Sequence, residues 1–169
     1  MSLPSSETRR RTGEIQDPTP WVKFAAGLTC AAVAWLTLVL TAPVALSRGR
    51  VPVLTLAVYQ AGALVCHQRP ERSFHLAGVQ MPVCARCFGL YLAGAAGLTV
   101  AWRGRRTLSS REVRALLAVA ALPIVTTVAL EWLGALETSN IQRMVTGLPL
   151  GFAAGVVVVR SLARPGDAL

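Results

Sequence analysis

This chain has few charged residues for its length. They make up 15% of its 169 residues, whereas apolar residues make up 53%. A typical soluble protein is about a quarter charged, so a water-soluble fold of this composition would have too little polar surface. The composition therefore excludes an ordinary soluble globular protein, and the length suits one domain.

The motifs of the common nucleotide-dependent and hydrolytic enzymes are also missing. The sequence contains no P-loop, no glycine-rich dinucleotide fingerprint, no serine-nucleophile elbow and no HExxH motif. These absences exclude the standard classes of such enzymes. They leave open whether the protein is an enzyme of another kind.

Long apolar runs are what the chain does have. About 20 apolar residues cross a hydrocarbon core of about 30 Å, and four runs approach that length: Phe24–Leu46, Phe88–Trp102, Val113–Leu133 and Met144–Leu162. A fifth run, Val51–Val65, is as short as Phe88–Trp102, contains Pro52, Tyr59 and Gln60, and is typical of re-entrant or interfacial segments. The sequence predicts an all-α polytopic membrane protein with four or five membrane segments.

The remaining residues suggest the domain organisation. Residues 1–20 are polar and carry three consecutive arginines, so we expect a disordered basic tail. Residues 21–164 form one transmembrane helical domain that contains a Cys/His loop at 66–87, and residues 165–169 form a second tail. No small-residue cleavage site follows the first apolar run, which predicts an uncleaved helix.

The net charge of +9 comes mainly from arginines beside the apolar runs. Such arginines set membrane topology and meet anionic head groups, so we expect membrane lipids as partners and no nucleic acid. The segment after Trp102 carries Arg103, Arg105 and Arg106, whereas residues 134–141 contain no basic residue. The first segment is therefore expected in the cytoplasm, which places the Cys/His loop on the extracytoplasmic face of the cell membrane.

The Cys/His loop holds three of the four cysteines and both histidines. Cys84 and Cys87 form a CxxC pair, and Cys66 and His67 lie upstream. Three thiolates and one imidazole complete a tetrahedral zinc site, with copper and iron as alternatives. His75 is another imidazole, but we expect His67 to be the ligand because it is adjacent to Cys66.

Other polar residues are expected around these ligands. Arg86 lies between the two thiols of the CxxC pair and would stabilise a thiolate. Glu131 and Arg143 are predicted to form an ion pair, because ionisable groups at membrane depth are costly and usually paired. Asn140 lies in the loop between them, and Arg72 is suited to gripping an anionic ligand.

Two further functions stay open beside metal binding. One is a membrane thiol–disulfide oxidoreductase, in which Cys66 exchanges electrons with the CxxC pair and a quinone accepts them. The other is a structural subunit or small-ligand carrier whose metal only braces the loop. Glycines at four-residue intervals, Gly147, Gly151 and Gly155, predict close helix packing, and similar faces could join a homo-oligomer or a membrane-protein partner.

The pattern of these residues resembles a known family. Cys66-His67-Gln68, Pro70, Arg72-Ser73-Phe74 and the stretch from Cys84 to Tyr91 are similar to the signature of a family of small predicted membrane proteins of bacteria and archaea. A second signature includes Glu131-Trp132, Asn140, Arg143 and Thr146-Gly147. The resemblance covers roughly residues 65–155 and implies a polytopic membrane protein. It implies no particular activity, because the family is a domain of unknown function.

Overall fold

A computed structural model describes residues 20–50, 52–102 and 108–162. The described residues form five helices and a small antiparallel hairpin. The helices are α1 (Pro20–Ser47), α2 (Val53–Val65), α3 (Ala85–Ala101), α4 (Ser110–Trp132) and α5 (Asn140–Leu162), and the strands are β1 (His75–Leu76) and β2 (Val79–Gln80). The prediction of an all-helical membrane protein is confirmed at this level. The predicted tails, 1–20 and 165–169, lie outside the described residues, except that the backbone of Pro20 begins α1.

Three helices are long and apolar enough to cross a membrane: α1 over Trp21–Ser47, α4 and α5. The other two are shorter apolar helices. At about 1.5 Å per residue, the 17 residues of α3 extend about 25 Å and the 13 residues of α2 about 20 Å. The predicted run that begins at Phe88 starts three residues earlier in the structure, because Cys84 is already the extended N-cap residue of α3.

Side-chain caps fix where α4 and α5 begin. At α4, the Ser109 hydroxyl accepts from the backbone N–H of Glu112, whose carboxylate accepts from the Ser109 N–H at 2.9 Å. At α5, the N–H of Gln142 donates to the Ser139 hydroxyl and the N–H of Ser139 donates to Gln142 Oε1 at 2.8 Å. Each reciprocal pair satisfies two backbone donors that a helix start leaves free. These caps set the register of Glu131 and Arg143 in their helices.

Among the described helices, α3 and α5 have the most extensive contact, and glycines let their backbones approach closely. A Cβ at Gly89 would meet the Met144 carbonyl, and one at Gly97 would meet the Phe152 carbonyl. From the other side, a Cβ at Gly151 would meet the Leu90 carbonyl. The paired positions increase together along both helices, so α3 and α5 run parallel, and α4, which connects them in the chain, runs in the opposite direction. The interpretation of the glycine stripes as packing surfaces is confirmed, since they face each other within one chain.

The parallel arrangement gives the bundle two distinct ends. The site end holds the N-termini of α3 and α5 and the C-terminus of α4. The opposite end of the bundle, away from the Cys/His loop, is called the loop end. It holds the C-terminus of α3, where Trp102 stacks on Trp21 with ring centroids 6.5 Å apart. Since Trp21 lies at the start of α1, while Val39 of α1 clusters with Cys66 and Met81, α1 runs from the loop end to the site end.

A hairpin that the sequence analysis did not predict lies in the Cys/His loop. His75 pairs with Gln80, and Leu76 pairs with Val79. The two residues of the turn, Ala77 and Gly78, both have positive φ, as the tight turns that match strand twist require. A single turn of 3₁₀ helix, Pro70–Arg72, precedes the hairpin. The loop is therefore folded over the site end of the bundle.

The glycine packing can be tested within α3. In Gly97→Ala the new methyl group would collide with the Phe152 carbonyl, whereas in Gly94→Ala it would lie 3.6 Å from the Gly151 carbonyl, an ordinary contact. Both changes bring a similar gain in helix propensity, so their difference reports packing. We expect G97A to be less stable than G94A by about 1–3 kcal/mol, measured by thermal unfolding in detergent. Equal melting temperatures would show that α3 and α5 are not packed backbone to backbone.

Candidate metal and thiol site

The three cysteines of the loop converge at the site end. Cys66 directly follows α2, Cys84 is the N-cap residue of α3, and Cys87 lies in the first turn of α3. Their three sulfur atoms all lie within 4.8 Å of one another. The spacing of three residues places Cys84 and Cys87 on the same side of the helix start. As predicted, the structure brings Cys66 next to the CxxC pair.

Hydrogen bonds to the Cys66 sulfur lower its pKa. The Cys84 and Cys87 thiols lower the pKa of Cys66 to about 2 from an ordinary 9.0, and the backbone N–H groups of Gln68 and Cys84 add to this, against the opposing effect of burial. The N–H of Cys84 lies 3.1 Å from the Cys66 sulfur. The lowered pKa favours the thiolate form of Cys66, which is the form that binds metals and attacks disulfides.

Amide side chains that the sequence analysis did not assign bring Cys66 to the start of α3. Gln68, at φ 46°, directs its Nε2 to the carbonyls of Tyr59 at 2.8 Å and Pro82 at 2.7 Å. Gln80 in turn donates to the Gln68 carbonyl, and Tyr59 donates to the carbonyl of Gln80. These bonds join the middle of α2, the hairpin and the segment before Cys84. Only the presence of Gln68 in the expected family pattern hinted at this role.

A buried carboxylate connects the three helices of the site end. Oε1 of Glu131, near the end of α4, lies 2.9 Å from Arg86 Nη2 and 3.2 Å from Arg143 Nε. The side chains are 8% exposed for Glu131 and 13% for each arginine. The predicted Glu131–Arg143 ion pair is confirmed. Arg86, expected to act on the thiolates, has Glu131 as its charged partner.

Asn140 and Arg143 attach the Cys/His loop to this carboxylate. Asn140 Nδ2 donates to the Ser73 carbonyl at 3.0 Å, and its Oδ1 accepts from Arg143 Nη1 at 3.2 Å. Arg143 Nη1 also reaches the Glu71 carbonyl at 3.5 Å. Hydrogen bonds from Asn140 and Arg143 to backbone carbonyls of the Cys/His loop therefore hold this loop to the first turn of α5.

A cavity of about 490 Å³ opens beside the three sulfur atoms. Its polar lining comes from the three cysteines together with His67, Gln68, Arg69, Arg72, Arg86 and Arg143. Val65 and Trp132 complete the lining, and both are exposed apolar side chains. The cavity thus joins a polar floor to the apolar outer surface of the molecule.

The other candidate residues from the sequence differ in how close they lie to the three sulfur atoms. His67 is exposed and lines the cavity, but its ring nitrogens are outside the group formed by the three sulfur atoms. His75 begins β1 and is not part of the lining, and Cys30 lies exposed on α1. Tyr91 is half-buried, with its ring set edge-on to Trp35 at 6.1 Å. The choice of His67 as a ligand stays a prediction.

The sulfur geometry fits a metal ion. With Zn–S bonds of about 2.3 Å, tetrahedral ligation places sulfur atoms about 3.8 Å apart, which the observed spread accommodates with little movement. All four cysteines have free thiols in this structure. The three clustered sulfurs are therefore available either as ligands or for exchange with one another.

Comparison with known proteins assigns the chain to a family. Residues 66–157, more than half of the chain, match the family described as "Predicted membrane protein (DUF2085)". The chain belongs to the DUF2085 family. All residues of the candidate site lie within the matched range, while α1 and α2 lie outside it. The finer two-part signature expected for the family stays a prediction.

Two archaeal proteins are similar to this DUF2085 chain. "Uncharacterized protein MJ1492" of Methanocaldococcus jannaschii is 32% identical over 101 residues, which is 59% of this chain and 64% of that protein. An "Uncharacterized protein" of Methanothermobacter thermautotrophicus is 31% identical over 96 residues, which is 55% of this chain and 83% of that protein. The chain therefore spans just under two thirds of the first relative. No solved structure matches it. Both relatives are archaeal, so they do not support a bacterial source.

The role of Glu131 can be tested by removing its charge. E131Q would leave the guanidinium groups of Arg86 and Arg143 buried without a carboxylate. Breaking a buried ion pair from one side costs about 3–5 kcal/mol, so we expect a clear fall in the melting temperature of the purified protein. E137Q is the matched control, because Glu137 is exposed in the loop between α4 and α5. If both variants melted like wild type, Glu131 would not be the group that holds the three helices together.

Proposed function

We propose that this DUF2085 protein is a multi-pass membrane protein that binds a metal ion, with zinc as the first candidate, through Cys66, Cys84 and Cys87. The observation that carries the proposal is the convergence of three sulfur atoms within 4.8 Å from two separate parts of the chain. Thiolates are soft ligands, and they favour zinc, copper or iron over magnesium and calcium.

The Gln68 hydrogen bonds support a preformed site. They connect the residues just after Cys66 with α2 and with the segment before Cys84, and so favour the position of Cys66 beside α3. A preorganised set of ligands loses less conformational freedom on binding. His67 is the proposed fourth ligand, because it follows Cys66 directly and lines the same cavity, whereas His75 does not.

Thiol–disulfide exchange is the second candidate, and the low pKa of Cys66 favours it. Oxidation of the Cys84 and Cys87 thiols to a disulfide would release two electrons and two protons, which reduce a quinone to a quinol. The Cys66 sulfur, in contact with both partners, would attack that disulfide as a thiolate, forming a mixed disulfide with one of its sulfurs and releasing the other as a thiolate. A role as structural subunit or small-ligand carrier, with the metal bracing the loop, is a third alternative that no specific contact favours.

The path of the chain supports four membrane crossings, by α1, α3, α4 and α5. If α2 also crossed, Cys66 would lie at the opposite end from the C-terminus of α1. Instead Cys66 clusters with Val39 and Ala42 from the second half of α1. The α2 helix, with Val53 83% and Leu64 88% exposed, is then a short segment that returns into the lipid at the site end. The 25 Å length of α3 implies slight local thinning of the bilayer.

The arginines support an extracytoplasmic site. Arg111 and Arg114 lie in the first turns of α4 at the loop end, and Arg103, Arg105 and Arg106 precede them in the sequence. The link between α4 and α5 at the site end has no basic residue. Of the two links that flank α4, only the one at the loop end is basic, and basic links favour the cytoplasmic side; we therefore propose that the loop end faces the cytoplasm and the Cys/His loop faces outward.

Cysteine labelling tests this orientation. Ser110 and Glu137 are exposed neighbours of the two capping serines, so their replacement leaves both caps in place. In intact cells, a membrane-impermeant maleimide should label E137C and should label S110C only after the membrane is opened. Peptide mass mapping separates these labels from those on native cysteines. The reverse pattern would place the Cys/His loop in the cytoplasm.

The two histidines separate a metal site from a thiol-exchange site. Metal binding can supply on the order of 10 kcal/mol to a small site, so loss of one ligand of four should reduce metal retention heavily. We expect His67→Ala to purify largely without metal and His75→Ala, the matched control, to keep most of it. Metal content per chain, measured after anaerobic purification, is the readout. Equal retention by both variants would remove His67 from the ligand set.

A further inference from the structure

The side chains of four arginines line the cavity beside the sulfur atoms. Their positive charge exceeds the negative charge of the neighbouring carboxylates. The four are Arg69, Arg72, Arg86 and Arg143. Arg69 has a distant ion pair with Glu71, at 3.9 Å on the exposed surface, while Arg86 and Arg143 share the single carboxylate of Glu131. Among these side chains, four positive and two negative charges leave about +2 around the cavity, and a thiolate at Cys66 reduces this to about +1.

Two of these arginines are held rigidly. Arg143 is fixed by Glu131, by Asn140 Oδ1 and by the Glu71 carbonyl. Arg86 lies 2.9 Å from Glu131 through Nη2, at an angle outside hydrogen-bond geometry, and its buried Nε has no acceptor within the described ranges. A buried donor without an acceptor is rare unless a ligand or water serves it. The Glu131 carboxylate therefore contacts both guanidinium groups, but N–H donors of Arg86 are left without an acceptor among the described residues.

Arg72 distinguishes a binding site from a simple clip between helices. Joining α3, α4 and α5 requires Glu131 and its two arginines, and needs nothing from Arg72. Yet Arg72 ends the 3₁₀ turn, is only partly exposed, lines the cavity, and has no acidic partner within residues 20–50, 52–102 and 108–162. An arginine without an acidic partner among the described residues, lining the same cavity of about 490 Å³ as two others, matches the arrangement that binds oxyanions and carboxylates.

We infer that the cavity is a binding site for a small oxyanion or carboxylate group, held by Arg72, Arg86 and Arg143 next to the three cysteines. The inference goes beyond the proposed metal and does not require it. Three thiolates and a divalent ion together add one negative charge, so the cavity stays positive when the metal is bound. The ligand would thus lie beside the reactive sulfurs in either state. The group could belong to a free anion or to a lipid head group, because Val65 and Trp132 connect the cavity to the apolar surface.

Charged alkylating reagents measure this positive cavity directly. In reduced, metal-free protein, iodoacetate and iodoacetamide form similar thioethers with the site cysteines but differ by one negative charge. We expect Arg72→Gln to lower the ratio of the iodoacetate rate to the iodoacetamide rate by about tenfold, within the range that local fields change encounter rates. Arg114→Gln, which removes an exposed arginine at the loop end, is the matched control and should leave the ratio unchanged.

Competition identifies the ligand's source. Inorganic phosphate should slow iodoacetate saturably in wild type and much less in R72Q if the cavity takes a free anion. If it takes a lipid head group, the iodoacetate rate should instead fall in phosphatidylglycerol nanodiscs relative to phosphatidylcholine nanodiscs. Failure of both competitors, or equal rate ratios in wild type and R72Q, would overturn the inference. Because these assays use metal-free protein, their result is independent of whether the metal proposal holds.

Discussion

The parallel contact between α3 and α5 is the constraint on which the site depends. Glycines at the contact let the two backbones approach until carbonyl groups of one helix occupy the space that side chains of the other would need. Such close approach is a main source of helix association in lipid, where the hydrophobic effect is absent between helices. Two neighbouring parallel helices place both N-termini at the same end, so the CxxC pair of α3 comes to lie beside Arg143 of α5.

The charges at the site end follow from this geometry. The carboxylate of Glu131, near the end of the antiparallel α4, pairs with one arginine from the start of α3 and one from the start of α5. Helix N-termini carry partial positive charge, which adds to the excess of guanidinium groups. Thiolate sulfur, a thiolate-bound metal ion and a bound oxyanion all gain from a positive environment. The metal proposal and the anion proposal therefore describe two uses of the same electrostatic arrangement.

Much of this arrangement could be predicted from the sequence, because it depends on local patterns. Apolar length indicated four of the helices, four-residue glycine spacing indicated their packing, and the cost of unpaired charge in a membrane indicated the Glu131–Arg143 pair. What the sequence did not indicate depends on contacts between distant residues. The hairpin at His75–Gln80 has strands of two residues, too short for an alternating pattern. The bonds of Gln68 come from a left-handed backbone position that propensities do not assign to glutamine.

The central claim is that the three clustered cysteines hold a metal ion, and the metal content of anaerobically purified protein tests it most directly. On the order of one metal ion per chain, with Cys66, Cys84 and Cys87 protected from alkylation until a chelator is added, is the predicted result. C66S should lose the metal, and C30S, which alters the exposed cysteine of α1, should retain it. Metal-free protein with a Cys84–Cys87 disulfide that reduces and re-forms with a quinone would contradict the claim and favour thiol exchange.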